Sequence, residues 1–394
     1  MIKTISFGFL IVSALVILSC KEPTTNTFYK KVETLAQKKF VLVDSIIVKG
    51  VSTLYLVITD FNSVTKKYLA FDPLGSNEIF EFDIHGNITR KLNLMGTDSL
   101  SYGNYLYGLG YISDSSICIV SEKGCSIYDF NSHRINFVHA SFAGNNINYQ
   151  MSIDSRGIIY CPVILAKQQS SDINPSNRGY SSNKKNIMAI NFKDSTYTPN
   201  IKFEENSIYL NDKIWYNKNY ATSIYDMSDS SIKIIYQLEN KVYEYKSSND
   251  GSLSLKKIVN LSPEYFGEIR GLKYGKGLDQ FKLIEADAEN SSYTHLSCFN
   301  DTLYTVYAKG VMPTDLESIS VNGKIKVNQI YEQKYQEYVG VYCNDQQVCG
   351  DLKVPENCAG VSFIQSSNFL MPKRKSNEDI RQNNQEIIYV YEIK

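Results

Sequence analysis

The chain is patterned at period two. In Lys67–Leu94, KYLAFDPLGSNEIFEFDIHGNITRKLNL, apolar and polar residues alternate in three short runs. Pro73-Leu74-Gly75-Ser76-Asn77 and His85-Gly86-Asn87 separate the runs. Alternation bounded by Gly, Pro and Asn marks antiparallel hairpins. With Thr53–Asp60 ahead of it, this stretch makes a group of four strands. Lys39–Lys49, KFVLVDSIIVK, reads as strand in front of the group.

The same group returns along the chain. Its third strand carries a large apolar residue, a polar or acidic one, a large apolar one and then a polar turn. Phe80-Glu81-Phe82, Tyr128-Asp129-Phe130, Ile190-Asn191-Phe192, Tyr243-Glu244-Tyr245 and Tyr391-Glu392-Ile393 all fit, with Val341-Tyr342-Cys343 a weaker match. Four strands recurring about every 40–50 residues, with insertions, are the pattern of a β-propeller. The expected fold is all-β, a six-bladed β-propeller of four-stranded antiparallel blades.

The blades are expected at Thr53–Leu94, Tyr105–Ala140, Tyr149–Phe203, Ala221–Leu261 and Tyr293–Val354. The sixth has only three strands, Gly360–Ile364, Asn368–Pro372 and Glu386–Ile393. Phe40–Val48 is left over and can supply the fourth, closing the ring and removing its exposed edges.

Loop lengths then become informative. In a four-strand meander the A–B and C–D turns leave one face, and the B–C and D–A connections leave the other. The A–B turns are short: Ser113-Asp114, Asp154-Ser155-Arg156, Ser228-Asp229-Ser230, Asn300-Asp301 and Ser366-Ser367. The long segments, residues 166–185, 309–335, 373–385, 206–220 and 262–292, fall in the other class. Loops on a rigid scaffold are where function is usually placed, although surface loops also tolerate insertion cheaply.

The elaborated face carries the chain's single Trp, Trp215, with Tyr216 and Tyr220 in KIWYNKNY. It also carries Arg178 and Tyr180 in SNRGY, and Arg270 and Tyr274 in EIRGLKYGKG. Aromatic residues beside Arg make recognition surfaces for sugars or peptides. For Trp215 the simpler reading is an anchor buried under its own loop.

Composition narrows the chemistry. With 41 basic and 41 acidic residues there is no net charge, so nucleic acid is not an expected partner. Tyr at 30 and Phe at 18 suit pleated, half-buried surfaces. The four His, His85, His133, His139 and His295, have no neighbour at metal-ligand spacing, and no metal or cofactor is expected. Neither G-x-S-x-G nor H-E-x-x-H occurs, nor does a phosphate-binding G-x-x-x-x-G-K-[ST]. Glu285, Asp287 and Glu289 would share one face if extended, but a solvated loop is the simpler reading than an acid pair. No catalytic residue is nominated.

The N-terminus reads as a targeting segment. Lys3 precedes an apolar run, Ile5–Leu18, short for a bilayer span. It ends Ile17-Leu18-Ser19-Cys20, which resembles the lipobox of bacterial lipoproteins. That resemblance implies a signal peptide over 1–19, lipid on Cys20, a lipidated tether over 20–38 and the propeller over 39–394. Residues 21–38 are polar and lack strand periodicity after Pro23. The other seven cysteines, Cys118, Cys125, Cys161, Cys298, Cys343, Cys349 and Cys358, are odd in number, so one thiol at least stays free or pairs elsewhere. One bridge among Cys343, Cys349 and Cys358 is expected to be feasible outside the cytoplasm. Cys161, in the apolar run Ile158–Leu165, reads as a buried small hydrophobe.

The stretches LAFDPLGSNEIFEFDIHGNI, DSSICIVSEKGCSIYDFNSHRI and SNFLMPKRKSNEDIRQNNQEIIYVYEIK, behind a lipobox, resemble the lipoprotein propellers of Bacteroidota. These include the TolB-like six-bladed group and the domain-of-unknown-function 4221 group. The resemblance implies an outer-membrane lipoprotein facing the periplasm or the cell surface, and no activity known for most members. Its motifs are fold motifs, so no functional residue carries over. Two readings follow. The first is a binding or scaffold module, membrane-anchored by lipid, using the long-loop face for a peptide, glycan or protein partner. The second is a propeller-type hydrolase or lyase, which would need His295 or His139 with carboxylates near the central channel.

Overall fold

In a computed structural model the described residues are all except 1–24, 29, 52–55, 74–76, 145–148, 167–183, 212–213, 217, 219–220, 227–229, 274–285, 313–319, 322–323, 326–335, 345 and 376–383. They form six antiparallel blades, strand A innermost and strand D at the rim. Blade one is Val57–Asn62, Lys67–Phe71, Ile79–Asp83 and Ile88–Leu92. Blade two is Leu106–Ser113, Ser116–Ser121, Gly124–Asp129 and Arg134–His139. Blade three is Ser152–Ile153, Ile159–Cys161, Ile187–Asn191 and Thr196–Asn200. Blade four is Ala221–Asp226, Ser231–Tyr236, Lys241–Ser247 and Leu253–Asn260. Blade five is Ser292–Phe299, Thr302–Lys309 and Gln336–Cys343, with Gln346–Cys349 and Leu352–Lys353 sharing the rim.

Blade six is closed across the termini. Phe363–Gln365, Asn368–Pro372 and Gln385–Ile393 supply three strands, and Phe40–Lys49 pairs antiparallel with the last of them. The closure expected from the leftover N-terminal strand is therefore present.

The core is a set of blade interfaces. Six buried apolar clusters fill the gaps between blades one and two, two and three, three and four, four and five, five and six, and six and one. In the last, Ile46 and Val48 of the N-terminal strand meet Ile58 and Phe80 of blade one and Leu370 and Ile388 of blade six. Because a blade is covered on both faces, its middle strands are buried on both. Ser116–Ser121 is buried at every position. Ile88–Leu92 at the rim keeps the half-exposed alternation of a one-sided strand.

The repeated third-strand motif has a physical role. Phe80 and Phe82 face one interface, and Glu81 between them is 2% exposed on the other side. Lys67 on strand B and Arg90 on strand D hold its carboxylate at 3.1 and 2.7 Å. In blade four Tyr243 and Tyr245 flank Glu244, held by Lys256 on strand D at 2.5 Å with Lys233 on strand B at 3.9 Å. In blades one and four the acidic position of the repeat is a clamp across three strands, whereas Asp129 of blade two holds its own turn through Asn131 and His133. The A–B turns are as short as expected, and several use left-handed backbone, as at Asn300, Asp301 and Ser366.

Two expectations need correction. Residues 21–38 read as a tether without strand periodicity, yet Thr25–Phe28 runs parallel to Leu253–Asn260 and Lys30–Ala36 runs parallel to Gln346–Cys349. Both add to the rims of blades four and five. Such pairing uses the backbone groups of an open edge and needs no apolar alternation. Second, no bridge links Cys343, Cys349 and Cys358, which are free thiols together with the other four. Cys349 and Cys358 face the interface of blades five and six, whereas Cys343 stands outside that cluster. Cys161 is fully buried between blades two and three, as read.

Candidate functional site

Successive antiparallel strands bring the D–A and B–C connections out at one end of the ring. Two of the D–A connections meet there. Ile214–Trp215, between blades three and four, pairs antiparallel with Leu272–Lys273, between blades four and five, in the register Ile214 to Lys273 and Trp215 to Leu272. Residues 214–215 and 272–273, far apart in sequence, thus form one ridge over blade four.

Buried supports hold this ridge. Tyr216 is half-buried, its ring edge-on to Tyr209 with centroids 5.9 Å apart. The Tyr209 hydroxyl donates to the Lys218 carbonyl at 2.8 Å and accepts from the Leu238 amide at 3.0 Å. Lys218 turns its ammonium inward to the Asn290 carbonyl at 3.3 Å and the Ser292 hydroxyl at 3.2 Å. Burial pushes Lys218 down to about 8, opposed by the Asp287 charge. Arg270 is tied at its backbone, where its amide donates to Asn290 Oδ1 and its carbonyl accepts from Asn290 Nδ2, each at 2.7 Å. Its guanidinium stays largely exposed and meets Glu289 at 2.9 Å. The acidic stretch is not extended, since residues 286–289 take a helical turn. Glu289 serves Arg270, and Asp287 acts on Lys218 instead of forming an acid pair.

Of the residues singled out in the sequence, Tyr216 and Arg270 are placed as described, and Trp215 is placed by its backbone. Arg178, Tyr180, Tyr220, Tyr274 and Cys20 lie outside the described residues. Lys218 sits within a segment already singled out, but its inward turn has no signal in sequence.

A second feature lies on the ring axis. The innermost strands enclose a partly open cavity of about 110 Å3. Its polar lining is Thr59, Asp60, Gln150, Ser223, His295 and Ser297, and Met151, Ile224, Leu296 and Phe363 are among its apolar walls. Blade two contributes Gly108 and Gly110 at this level. A Cβ on Gly110 would stand 3.1 Å from Asp60 Oδ2 and 2.9 Å from Met151 Cε, so glycine there leaves room for the carboxylate. Asp60 accepts from the Phe61 amide at 2.7 Å and the Tyr111 amide at 2.8 Å. Desolvation within the ring raises its pKa, against those two hydrogen bonds.

The histidines are accounted for individually. His85 and His139 are exposed, and His133 meets Asp129 at 3.1 Å at the surface. His295 is buried beside the axis. Its Nε2 lies 3.2 Å from the Ser362 carbonyl and its Nδ1 3.2 Å from the Thr294 hydroxyl. Desolvation lowers it to about 4, so the ring is neutral at pH 7, with Nε2 the donor. The nearest carboxylate in its network, Glu337, lies one hydroxyl away through Thr294. Among the described residues no group of three or more His, Cys, Asp or Glu is placed to hold a metal ion.

The fold is matched among solved structures. A member of the DUF4221 family from Bacteroides vulgatus ATCC 8482 aligns over 92% of this chain and 99% of its own, with a TM-score of 0.63 and 12% identity. The two proteins share one fold. This agrees with the propeller group that the sequence resembles. Looser matches are a putative exported protein from Bacteroides fragilis NCTC 9343 (TM-score 0.48, 10% identity, 93% and 99% of the two chains) and a luciferin-regenerating enzyme (0.44, 9%, 88% and 95%). No protein-family model matches the chain, and no curated protein matches it. No helix among the described residues is long and apolar enough to cross a membrane.

Proposed function

We propose that the protein is a binding lipoprotein of the cell envelope, working through the face that carries its long loops. The observation behind this reading is the pairing of Ile214–Trp215 with Leu272–Lys273. It gathers Trp215, Tyr216 and Arg270 onto one ridge over blade four. The Arg270 guanidinium gives one contact to Glu289 and keeps further N–H donors exposed for a carboxylate or a sugar hydroxyl. Peptides, glycans and protein partners all offer such groups. Lipid on Cys20, five residues before the first strand at Thr25, would keep the ring close to the outer membrane.

The hydrolase or lyase reading has less support. It asks for a histidine with two carboxylates in reach. His295 spends both ring nitrogens on Thr294 and Ser362.

A thermal-shift screen of glycans, peptidoglycan fragments and peptides tests the binding reading. A ligand at a hundredfold over its dissociation constant adds about 2.7 kcal/mol of stability. The expected result is a shift that Arg270→Ala or Trp215→Ala abolishes. A shift that survives both changes would move binding off the ridge. Radiolabelled palmitate tests the anchor, with incorporation expected in the wild type and none in Cys20→Ala.

A further inference from the structure

The axial cavity is separate from the loop ridge and from anything argued for it above. It holds one carboxylate without a countercharge. Among the described residues Asp60 makes no ion pair, and its two hydrogen bonds come from the neutral amides of Phe61 and Tyr111. A carboxylate offers about four lone-pair sites, so about half of those on Asp60, which lines the cavity, have no partner among the described residues. The Ser223 hydroxyl, on the same lining, is buried and has no hydrogen-bond partner among the described residues. A buried hydroxyl left unpaired is destabilising, and a ligand in the cavity would relieve that cost.

We propose that this cavity is a binding site for a small organic ammonium group, with Asp60 as its counter-charge and Ser223 as a second acceptor. The walls choose between cations. A calcium ion takes six to eight oxygens, usually several of them carboxylates. The described lining offers one carboxylate among hydroxyls, one amide, the His295 imidazole, which already meets Thr294 and Ser362, and apolar side chains. An alkylammonium donates up to three N–H bonds and carries its own apolar body. Met151, Ile224 and Leu296 suit that body, and the ring of Phe363 suits a cation lying beside it. The volume of about 110 Å3 is room for a few heavy atoms, since one water needs only about 10–15 Å3 on this measure. Gly110 keeps the space beside Asp60 Oδ2 clear.

The test is isothermal titration of the full chain at pH 7 with propylammonium chloride, its neutral isostere 1-propanol, and calcium chloride. Propylammonium should bind at least tenfold tighter than 1-propanol. Asp60→Asn should weaken it at least tenfold, and Ser223→Ala several-fold. Gly110→Ala, which keeps the carboxylate but crowds it, should also weaken binding, so the proposal stands on more than one variant. Wild-type circular dichroism identifies the variants that have folded. Equal binding of 1-propanol would make the cavity merely apolar. Binding of calcium in place of the amine would make it a metal site. Silence in all three titrations would leave it a water-filled channel. Each of these results overturns the proposal.

Discussion

Ile46 and Leu42 lie on the strand that closes blade six, and their fates should differ. Ile46 is 3% exposed among Ile58, Phe80, Leu370 and Ile388, whereas Leu42 is 50% exposed. Replacing a fully buried Ile by Ala costs about 2–5 kcal/mol, and about 3 kcal/mol suits this interface of branched and aromatic side chains. The entropy of unfolding is about 2.1 cal/mol/K per residue, or roughly 0.7 kcal/mol/K for a propeller of this length. Ile46→Ala should therefore lower Tm by about 4 °C. Leu42→Ala removes contacts that water already shares and should change Tm by less than about 1 °C. Differential scanning calorimetry of the two variants reads both values. Equal effects, or a larger loss from Leu42→Ala, would mean that the strand is not seated with Ile46 inward, and the closure of the ring would be refuted.

Other consequences can be measured on the same protein. Glu81→Ala leaves Lys67 and Arg90 without their shared carboxylate; both bases are partly solvated, so urea unfolding should show a loss of about 2 kcal/mol, below the 3–5 of a fully buried pair. His295, lowered to about 4 when folded, contributes stability in full above its unfolded value near 6.5. As pH falls the unfolded chain takes the proton first, so about 3 kcal/mol is lost between those values. The stability difference between pH 7.5 and 4.5 should shrink in His295→Gln. Iodoacetamide on the native protein should label Cys298 and Cys343, which are half-buried, before Cys118, Cys125 and Cys161, which are fully buried. Burial also pushes Cys349 and Cys358 up to about 11, and these too should react late by mass spectrometry.

The blades were legible in the sequence because each repeats a local signal. Alternation, Gly and Asn turns and the Phe80-Glu81-Phe82 motif all lie within one hairpin or two. Closure by Phe40–Lys49 was legible by subtraction, since blade six lacked a strand. The edge strands Thr25–Phe28 and Lys30–Ala36 were not, because parallel pairing on a rim leaves no apolar period. The cysteines near 350 misled because nearness in sequence is not nearness of side chains across a hairpin. Ridge residues such as Trp215 and Arg270 could be named from composition, but their pairing is a contact between two loops more than fifty residues apart. The axial cavity was invisible for the same reason. Asp60, Ser223 and His295 come from three different innermost strands, and only ring closure brings them together. The one local sign of it is the glycine spacing in Leu106–Ser113, LYGLGYIS, which withdraws blade two from the axis.

The working face can be tested most directly in intact cells. A photo-crosslinking amino acid is placed at position 215 on the ridge, and in a second strain at Ser367 in a short A–B turn on the opposite face. The account predicts a specific crosslinked species from position 215 that Arg270→Ala diminishes, and none from position 367. Crosslinks from position 367 alone, or equal crosslinks from both, would contradict it.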